Sequence, residues 1–258
     1  MLLYRIAPEG FYAVSDPAAE GGVRVLLSDP FAIPAGEWEL GKSLALHSAV
    51  LLAPVVPGKI VGIGRNYREH VKELSNPMPA EPVVFLKAPS SLIGPGEAVE
   101  LPPESERVEH EGEIAVVVRE RLRRATPEQA RAAVLGVTCA NDVTARDLQR
   151  KDATFARAKS FDTFCPLGPA IWVGADLEDL TVVLRVNGTE RQRGHTRDMT
   201  WGIVDLLVYA SRMMTLEPGD VLLTGTPAGV GTLAAGDRVE VEIPGLGTLA
   251  NPVEVFVG

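Results

Sequence analysis

Short apolar segments, each ended by Gly, Pro or Asp, recur from one end of the chain to the other and limit the fold to many short strands. The clearest segments are Leu2–Ile6, 11–14, 23–27, 59–64, Val221–Leu223, 239–243 and 253–257. Residues 182–186 run into Asn187-Gly188, a dipeptide typical of a two-residue turn between antiparallel strands. The chain is therefore predicted to be rich in β-structure.

Helical patterns are fewer than strand patterns. They cover residues 66–74, 127–133, a segment that begins near Thr144, and part of 198–214. Asn66 is the expected N-cap of the first helix, with Glu69 completing a capping box. Thr126 followed by Pro127 is a strong start for the second helix. We expect a few short helices between the strands.

The charge balance and the cysteine count disfavour several classes of protein. The chain has 258 residues, with 25 Lys and Arg against 34 Asp and Glu, so its formal net charge is −9. This balance disfavours proteins that coat nucleic acids or bind anionic membranes. No apolar run reaches the roughly 18 residues that cross a bilayer. The opening residues lack the features of a signal peptide. With only two cysteines, the chain has no disulfide framework. We therefore expect a cytoplasmic protein without a nucleic-acid or membrane partner.

The character of the sequence changes near residue 55. Residues 1–55 contain short strand patterns and no prominent cluster of acids or bases. The segment 54–58, which is rich in Pro and Gly, is typical of a connector, and the motifs that could carry chemistry follow it. We predict a small β-rich N-terminal domain, residues 1–55, and a larger domain, residues 56–258, that contains those motifs.

Acidic residues in two places could converge on one cation. Glu111 and Glu113 stand two apart in the strand pattern 111–118, so both side chains point to one face, with Glu109 a third candidate. Asp142 follows an apolar segment at a predicted strand-to-helix corner. Three such carboxylates would suit Mg²⁺ or Mn²⁺. A solvated strand face for the glutamates and a turn or helix cap for Asp142 are the alternatives.

A histidine and an acid share one flank of the first predicted helix. His70 and Glu73 are three residues apart, so Glu73 can hold one imidazole nitrogen and leave the other free as a general base. A surface ion pair is the alternative. The glycine-rich loop 223–231 can present N–H groups and threonine hydroxyls to an anion. A substrate with carboxylates would need cationic side chains, and the candidates are Arg65, Lys87, Arg146 and Lys159. For each of them a surface charge is the default alternative.

Seven segments, taken in chain order, resemble the fumarylacetoacetate hydrolase family. They are 62–70, 85–91, 111–113, 140–147, 159–168, 214–220 and 223–231, which together span roughly residue 59 to the C-terminus. The resemblance implies an α+β, mostly β fold, with a mixed β roll and a few helices. It also implies a homodimer. In each chain a small β-rich N-terminal domain would precede the catalytic domain, as in bacterial family members of the isomerase and decarboxylase type.

The resemblance further implies roles for individual residues. The implied Mg²⁺ or Mn²⁺ site is formed by Glu111, Glu113 and Asp142. The implied catalytic residues are His70, Glu73 and Lys159. The residues at positions where family members bind substrate or shape its pocket are Arg65, Lys87, Gln149 and Thr226.

We expect the protein to catalyse a reaction of a small-molecule 2-oxo acid. A divalent cation can act as a Lewis acid on such a substrate and stabilise the enolate that forms when a nearby bond breaks. The resemblance favours a metal-dependent isomerase or decarboxylase for 2-oxo or 2-hydroxy-dienoic diacids of homoprotocatechuate-type aromatic breakdown. An acylpyruvate-type C–C bond hydrolase, an oxaloacetate decarboxylase and a non-catalytic protein stabilised by the cation are the alternatives.

Overall fold

Four N-terminal strands follow one another as antiparallel neighbours in the computed structural model, which describes residues 1–18, 21–75 and 77–257. These strands are β1 (Leu2–Ile6), β2 (Phe11–Ser15), β3 (Gly22–Leu26) and β4 (Leu40–Ala45). The bounds of the first three lie within one residue of those predicted, so the interpretation of the N-terminal segments as strands is confirmed.

The later strands alternate with short helices. The strands are β5 (Ile60–Gly64), β6 (Val83–Lys87), β7 (Leu92–Ile93), β8 (Val99–Leu101), β9 (Val108–His110), β10 (Gly112–Val118), β11 (Val134–Asn141), β12 (Thr144–Ala145), β13 (Cys165–Trp172), β14 (Thr181–Val186), β15 (Thr189–His195), β16 (Val221–Leu223), β17 (Gly231–Thr232), β18 (Arg238–Ile243) and β19 (Gly247–Val255). The α-helices are α1 (Arg68–Glu73), α2 (Pro127–Ala132), α3 (Arg146–Lys151), α4 (Ala156–Lys159) and α5 (Ile203–Met213). In the part of the chain that the structure describes, none of the helices has the length and apolar character to span a bilayer.

The largest sheet has eleven strands in the part of the chain that the structure describes. Its strand order is β4-β3-β2-β1-β13-β11-β10-β16-β5-β6, with β7 paired to β13. Two further sheets have the orders β15-β14-β18-β19-β8 and β12-β9-β17. The β16–β5 and β19–β8 pairs are parallel, whereas the β10–β11 and β14–β15 pairs are antiparallel. The predicted α+β, mostly β fold with mixed sheets is confirmed.

Strand β10 is buried on both faces of the largest sheet. Ile114 and Val116 belong to one apolar cluster, while Ala115 and Val117 belong to another, as the alternation of side chains along a strand requires. Leu3 of β1 packs in the second cluster. The N-terminal strands therefore share the core of the main sheet, and the division into domains at residue 55 stays a prediction.

The prediction that Asn66 caps the first helix is wrong. The N-cap of α1 is Tyr67, whose side chain makes no capping bond. Asn66 instead donates to the carbonyl oxygens of Thr224 at 2.9 Å and Trp201 at 3.1 Å, and accepts from the Trp201 N–H at 3.0 Å. These partners lie 158 and 135 residues away in sequence, so the local pattern could not reveal them.

Other helix starts were predicted with mixed success. The start of α2 is confirmed, because Thr126 is the N-cap and accepts from the Gln129 N–H, and Pro127 is the first helical residue. The Gln129 side chain, which accepts from the Thr126 N–H, completes a capping box that was not predicted. Helix α3 begins at Arg146, later than predicted, because the preceding β12 segment pairs with β9. Helix α5 begins only at Ile203. Tertiary pairing thus shortens helices that the local pattern extends.

The turn between β14 and β15 confirms the hairpin that the sequence predicts. Asn187 and Gly188 have φ values of 52° and 75°. Two consecutive residues with positive φ are typical of a type I′ turn, whose twist matches that of the flanking strands. This hairpin places β15 next to the candidate site described below.

We predict that Gly136→Ala destabilises the fold. A Cβ atom at Gly136 would lie 2.4 Å from the carbonyl oxygen of Trp172, a main-chain atom that cannot move without disturbing the β11–β13 pairing. Overpacking of this kind costs about 2 kcal/mol of the free energy of unfolding, measurable by urea denaturation. Gly36→Ala is the matched control, because nothing lies within 4 Å of its added Cβ atom. Equal stability of the two variants would contradict the prediction.

Candidate active site

Three carboxylates converge where β10 and β11 pair. Glu113 lies in β10, Glu111 immediately precedes that strand, and Asp142 immediately follows β11. Gly112 pairs with Asn141, and the Asp142 N–H donates to the Glu111 carbonyl at 2.8 Å. One ligand oxygen from each of the three carboxylates lies within 4.8 Å of the other two, and all three residues are buried. The structure therefore brings together the three acids that the sequence singled out.

The carboxyl groups of Glu111 and Glu113 have strongly shifted pKa values. Burial raises the pKa of Glu113 well above its usual range, and the nearby charges of Asp142 and Glu111 raise it further. Burial also raises the pKa of Glu111, but the charges of Lys159 and Arg146 outweigh it and hold that pKa below its usual range. A buried set of hard oxygen donors with excess negative charge fits a divalent cation such as Mg²⁺ or Mn²⁺.

Lys159 neutralises part of this negative charge. It ends helix α4, and its ammonium group donates to Glu111 Oε2 at 2.7 Å and to Asp142 Oδ2. Its Nζ also lies 4.9 Å from the centroid of the Phe85 ring. Burial lowers the pKa of Lys159, but the carboxylates of Asp142 and Glu111 raise it more, so the net shift is upward. Lys159 is therefore a protonated group beside the acids.

Lys87 lies beside the carboxylate cluster, and the role in substrate binding or pocket shaping that the resemblance implies stays a prediction. Its side chain is 0% exposed, and its Nζ donates to Asp142 Oδ1 at 2.7 Å and to the Lys159 carbonyl oxygen. Lys87 is not one of the described residues that line the cavity. It lies behind Asp142, where its charge holds that carboxylate in place.

Arg146 is the buried cation on the other side of the cluster. Its guanidinium donates to Glu109 Oε2 at 2.6 Å and to Glu111 Oε1, and it also donates to the Gln149 side chain. Glu109 accepts a further bond from Arg107, at 2.6 Å, and so stands apart from the carboxylate cluster. Glu109 is thus a partner of two arginines, of which Arg146 also holds Glu111.

His70 and Glu73 form the expected pair. Nδ1 of His70 lies 3.3 Å from Glu73 Oε2, and Glu73 Oε1 accepts from the Gly229 N–H at 3.0 Å. His70 is buried, whereas the Glu73 side chain is 32% exposed. Contact through Nδ1 leaves Nε2 of the imidazole free, which is the arrangement that a general base requires.

The glycine-rich loop closes the site on a third side. The Gly225 N–H donates to Glu113 Oε2 at 2.7 Å. The Thr226 hydroxyl donates to the Gly112 carbonyl at 2.9 Å and accepts from the Gln192 side chain at 2.7 Å. Sequence reasoning missed Gln192, which stands among charged residues of β15 with no local motif around it.

These groups surround one small cavity, of about 50 Å³. Its lining consists of Ile63, Gly64, Arg65, His70, Leu74, Phe85, Glu111, Glu113, Asp142, Arg146, Gln149, Phe155, Lys159 and Thr226. Arg65 has a φ of 61°, an uncommon left-handed conformation for a residue with a side chain. The aromatic rings of Phe85 and Phe155 meet edge to face, with centroids 5.8 Å apart. The cavity thus has a charged floor and an apolar wall, and the wall was not predicted.

Comparisons with known proteins agree with this geometry. The family model for the C-terminal domain of fumarylacetoacetate (FAA) hydrolase matches residues 59–254. The structure of 5-carboxymethyl-2-hydroxymuconate delta-isomerase from Mycobacterium smegmatis is similar with a TM-score of 0.90 and 40% identity, covering 99% of this chain and 100% of that chain. The 2-hydroxyhepta-2,4-diene-1,7-dioate isomerase from Mycobacterium marinum gives a TM-score of 0.89 and 38% identity, covering 100% of both chains.

A human relative is also similar. Mitochondrial oxaloacetate tautomerase FAHD2A is 44% identical over 223 residues, which cover 81% of this chain and 71% of the human protein. The family model and these relatives together cover the whole carboxylate cluster and the loops around it. The chain belongs to the fumarylacetoacetate hydrolase family, whose members are enzymes that include isomerases, hydrolases and tautomerases.

Proposed function

We propose that this protein is a divalent-metal-dependent isomerase or decarboxylase of 2-oxo or 2-hydroxy-dienoic diacids. The observation that carries the proposal is the buried cluster of Glu111, Glu113 and Asp142, whose oxygens lie within 4.8 Å of one another. Two relatives whose printed names specify isomerases of unsaturated diacids support the same substrate class.

The three carboxylates would hold Mg²⁺ or Mn²⁺. Such a cation supplies Lewis-acid stabilisation of the negative charge that develops on a 2-oxo acid. Lys159 adds a fixed positive charge next to the same oxygens, and Arg146 keeps Glu111 ionised. The protein itself would thus provide preorganised, positively charged side chains around an enolate.

Proton movement would fall to His70. Its imidazole lines the cavity, and Glu73 holds it through Nδ1, so Nε2 can take a proton from one carbon or oxygen of the substrate and return it to another. Gln149 and Thr226 line the same cavity and offer polar contacts to the substrate. Phe85 and Phe155 form an apolar wall that limits the access of water.

Arg65 supports a substrate with a second carboxylate. Arg146 and Lys159 line the cavity but are already paired with protein carboxylates. Among the described residues, Arg65 forms no comparable ion pair, and it lines the cavity from the segment that precedes α1. A guanidinium in this position is suited to bind the distal carboxylate of a diacid in a bidentate manner.

Oxaloacetate is the second candidate substrate. The human relative that is 44% identical to this chain is named an oxaloacetate tautomerase. Oxaloacetate is itself a 2-oxo diacid, and its keto–enol conversion needs the same proton transfer that we propose for His70. Decarboxylation of oxaloacetate and hydrolysis of an acylpyruvate would use the same cation and are distinguished by their products.

Turnover tests the proposal directly. We expect the Mg²⁺-loaded protein to change the dienol absorbance of 2-hydroxyhepta-2,4-diene-1,7-dioate, or to release CO₂ from 5-carboxymethyl-2-oxo-hex-3-ene-1,7-dioate. His70→Ala should cut this rate by about 10²- to 10⁴-fold, the usual contribution of a general base, while Mn²⁺ affinity stays within about twofold because His70 lies outside the carboxylate cluster.

Other outcomes of the same assay identify the alternatives. Turnover of oxaloacetate alone would assign the tautomerase or decarboxylase reaction, and cleavage of an acylpyruvate alone would assign the hydrolase reaction. A protein that binds Mn²⁺ but turns over none of these acids would be the metal-stabilised, non-catalytic alternative. Equal loss of Mn²⁺ binding in His70→Ala would contradict the role that we give to this residue.

We predict that Glu113→Gln weakens Mn²⁺ binding by more than about 100-fold. Loss of a residue that only supports a metal ligand weakens binding by about 10- to 100-fold, and loss of the ligand itself should weaken it more. The isosteric amide keeps the side-chain volume and can still accept from the Gly225 N–H. Isothermal titration calorimetry with Mn²⁺ provides the measurement. Glu109→Gln is the matched control, since Glu109 is a buried acid of the same segment that pairs with arginines. Unchanged affinity in Glu113→Gln would refute the metal site.

We predict that Arg65→Gln raises the KM for oxaloacetate or the dienoic diacid by about 10- to 100-fold, as expected for loss of a charge-assisted hydrogen bond. The inhibition constant of 2-oxobutyrate, which lacks the second carboxylate, should change by less than about threefold. Arg68→Gln serves as the control, because Arg68 is an exposed arginine on α1 outside the cavity lining. An equal effect on both ligands would show that Arg65 does not select the diacid.

A further inference from the structure

Gln192 is a buried polar residue between two exposed neighbours. It lies in β15 and is 2% exposed, whereas Arg191 and Arg193 on either side point to solvent. A buried carboxamide is destabilising unless its donors and acceptor are satisfied. Every hydrogen-bonding position of this side chain is used, and the partners belong to the candidate active site.

The carboxamide oxygen of Gln192 faces the carboxylate-bearing segment. It accepts from the Gly112 N–H at 3.0 Å and lies 3.0 Å from His110 Nδ1, which is therefore the protonated nitrogen of that imidazole. Gly112 lies between the acids Glu111 and Glu113 in the chain. The main-chain N–H of Gly112 can only donate, so the orientation of the amide is determined by its partner.

The carboxamide nitrogen of Gln192 faces the glycine-rich loop. It donates to the Thr226 hydroxyl oxygen at 2.7 Å and to the Pro227 carbonyl at 2.8 Å. The loop lies tightly against β15, because a Cβ atom at Gly229 would be 2.0 Å from the carbonyl oxygen of Arg191. Gln192 therefore joins the middle of the loop to the start of β10.

The same loop contacts both halves of the site. At one end the Gly225 N–H donates to Glu113, and at the other end the Gly229 N–H donates to Glu73. Between them the Thr226 hydroxyl has its proton committed to the Gly112 carbonyl and one lone pair committed to Gln192. A remaining lone pair of Thr226 Oγ1 is the hydrogen-bonding capacity that it retains for a ligand.

We propose that Gln192 is a positioning residue, which fixes the Thr226 hydroxyl and the loop 225–229 for substrate binding. It touches neither the cavity nor the three acids in the described part of the chain, and acts through Thr226. This inference rests on the proposed function, because it assigns Thr226 to substrate binding. It adds a determinant that lies outside the cavity lining.

A double-mutant cycle between Gln192 and Thr226 tests the proposal. Gln192→Met removes the amide, and Gln192→Glu keeps an acceptor for Gly112 and His110 but lacks the NH₂ group that donates to Thr226. In the metal-loaded protein we expect either change to raise KM by about tenfold, as loss of a hydrogen bond predicts, with a smaller change in kcat. In a Thr226→Val background the same change should alter kcat/KM by less than about twofold.

Controls separate this role from a merely structural one. Mn²⁺ affinity should stay within about threefold of wild type, and Arg193→Gln, an outward-facing change on the same strand, should leave KM unchanged. If Gln192→Met does not fold, Gln192→Glu carries the cycle. Additive effects of the Gln192 and Thr226 changes, or a wild-type KM in both Gln192 variants, would overturn the proposal. Absence of turnover in the wild type would instead contradict the proposed function.

Discussion

Repulsion among Glu111, Glu113 and Asp142 is the constraint on which the rest of the site depends. Each of these carboxylates is buried, and a buried carboxylate without a partner strongly destabilises a folded chain. Lys159 donates to two of them, and Arg146 and Lys87 donate to one each, so the cluster forms where helices α3 and α4 and strand β6 bring buried cations to the paired β10 and β11. The fold therefore places the groups that would surround a cation and an anionic substrate as a condition of its own stability.

Much of the fold and part of the site could be predicted because their signals are local. The period of two brings Glu111, just before β10, and Glu113, within that strand, to the same cluster, and the spacing of three places His70 beside Glu73 on a helix. Turn and cap residues likewise act on neighbours in sequence, as the hairpin at Asn187 demonstrates. The first three strands were therefore located to within about a residue before any long-range contact was known, whereas the segment predicted as 253–257 belongs to a longer strand that begins at Gly247.

The features that could not be predicted depend on partners far away in sequence. Lys87 pairs with Asp142, 55 residues on, and is buried behind it. Asn66 bonds to Thr224, 158 residues away, where the local pattern indicated a helix cap. Gln192 has no motif around it, and its importance follows only from the packing of β15 against the loop and the start of β10. In each case a partner far away in sequence determines where a polar side chain lies.

We infer that the reaction outcome also depends on the cavity wall that lies outside the carboxylate cluster. Relatives of 40% and 44% identity carry the names of an isomerase and a tautomerase, so membership of the family does not by itself determine the product. Both of those reactions move a proton within one substrate, whereas hydrolysis must also admit a water molecule. The wall opposite the acids is formed by the edge-to-face rings of Phe85 and Phe155, close to the Lys159 ammonium. These rings offer no hydrogen bond to hold a water molecule, which supports the proton transfer that we propose for His70 over hydrolysis.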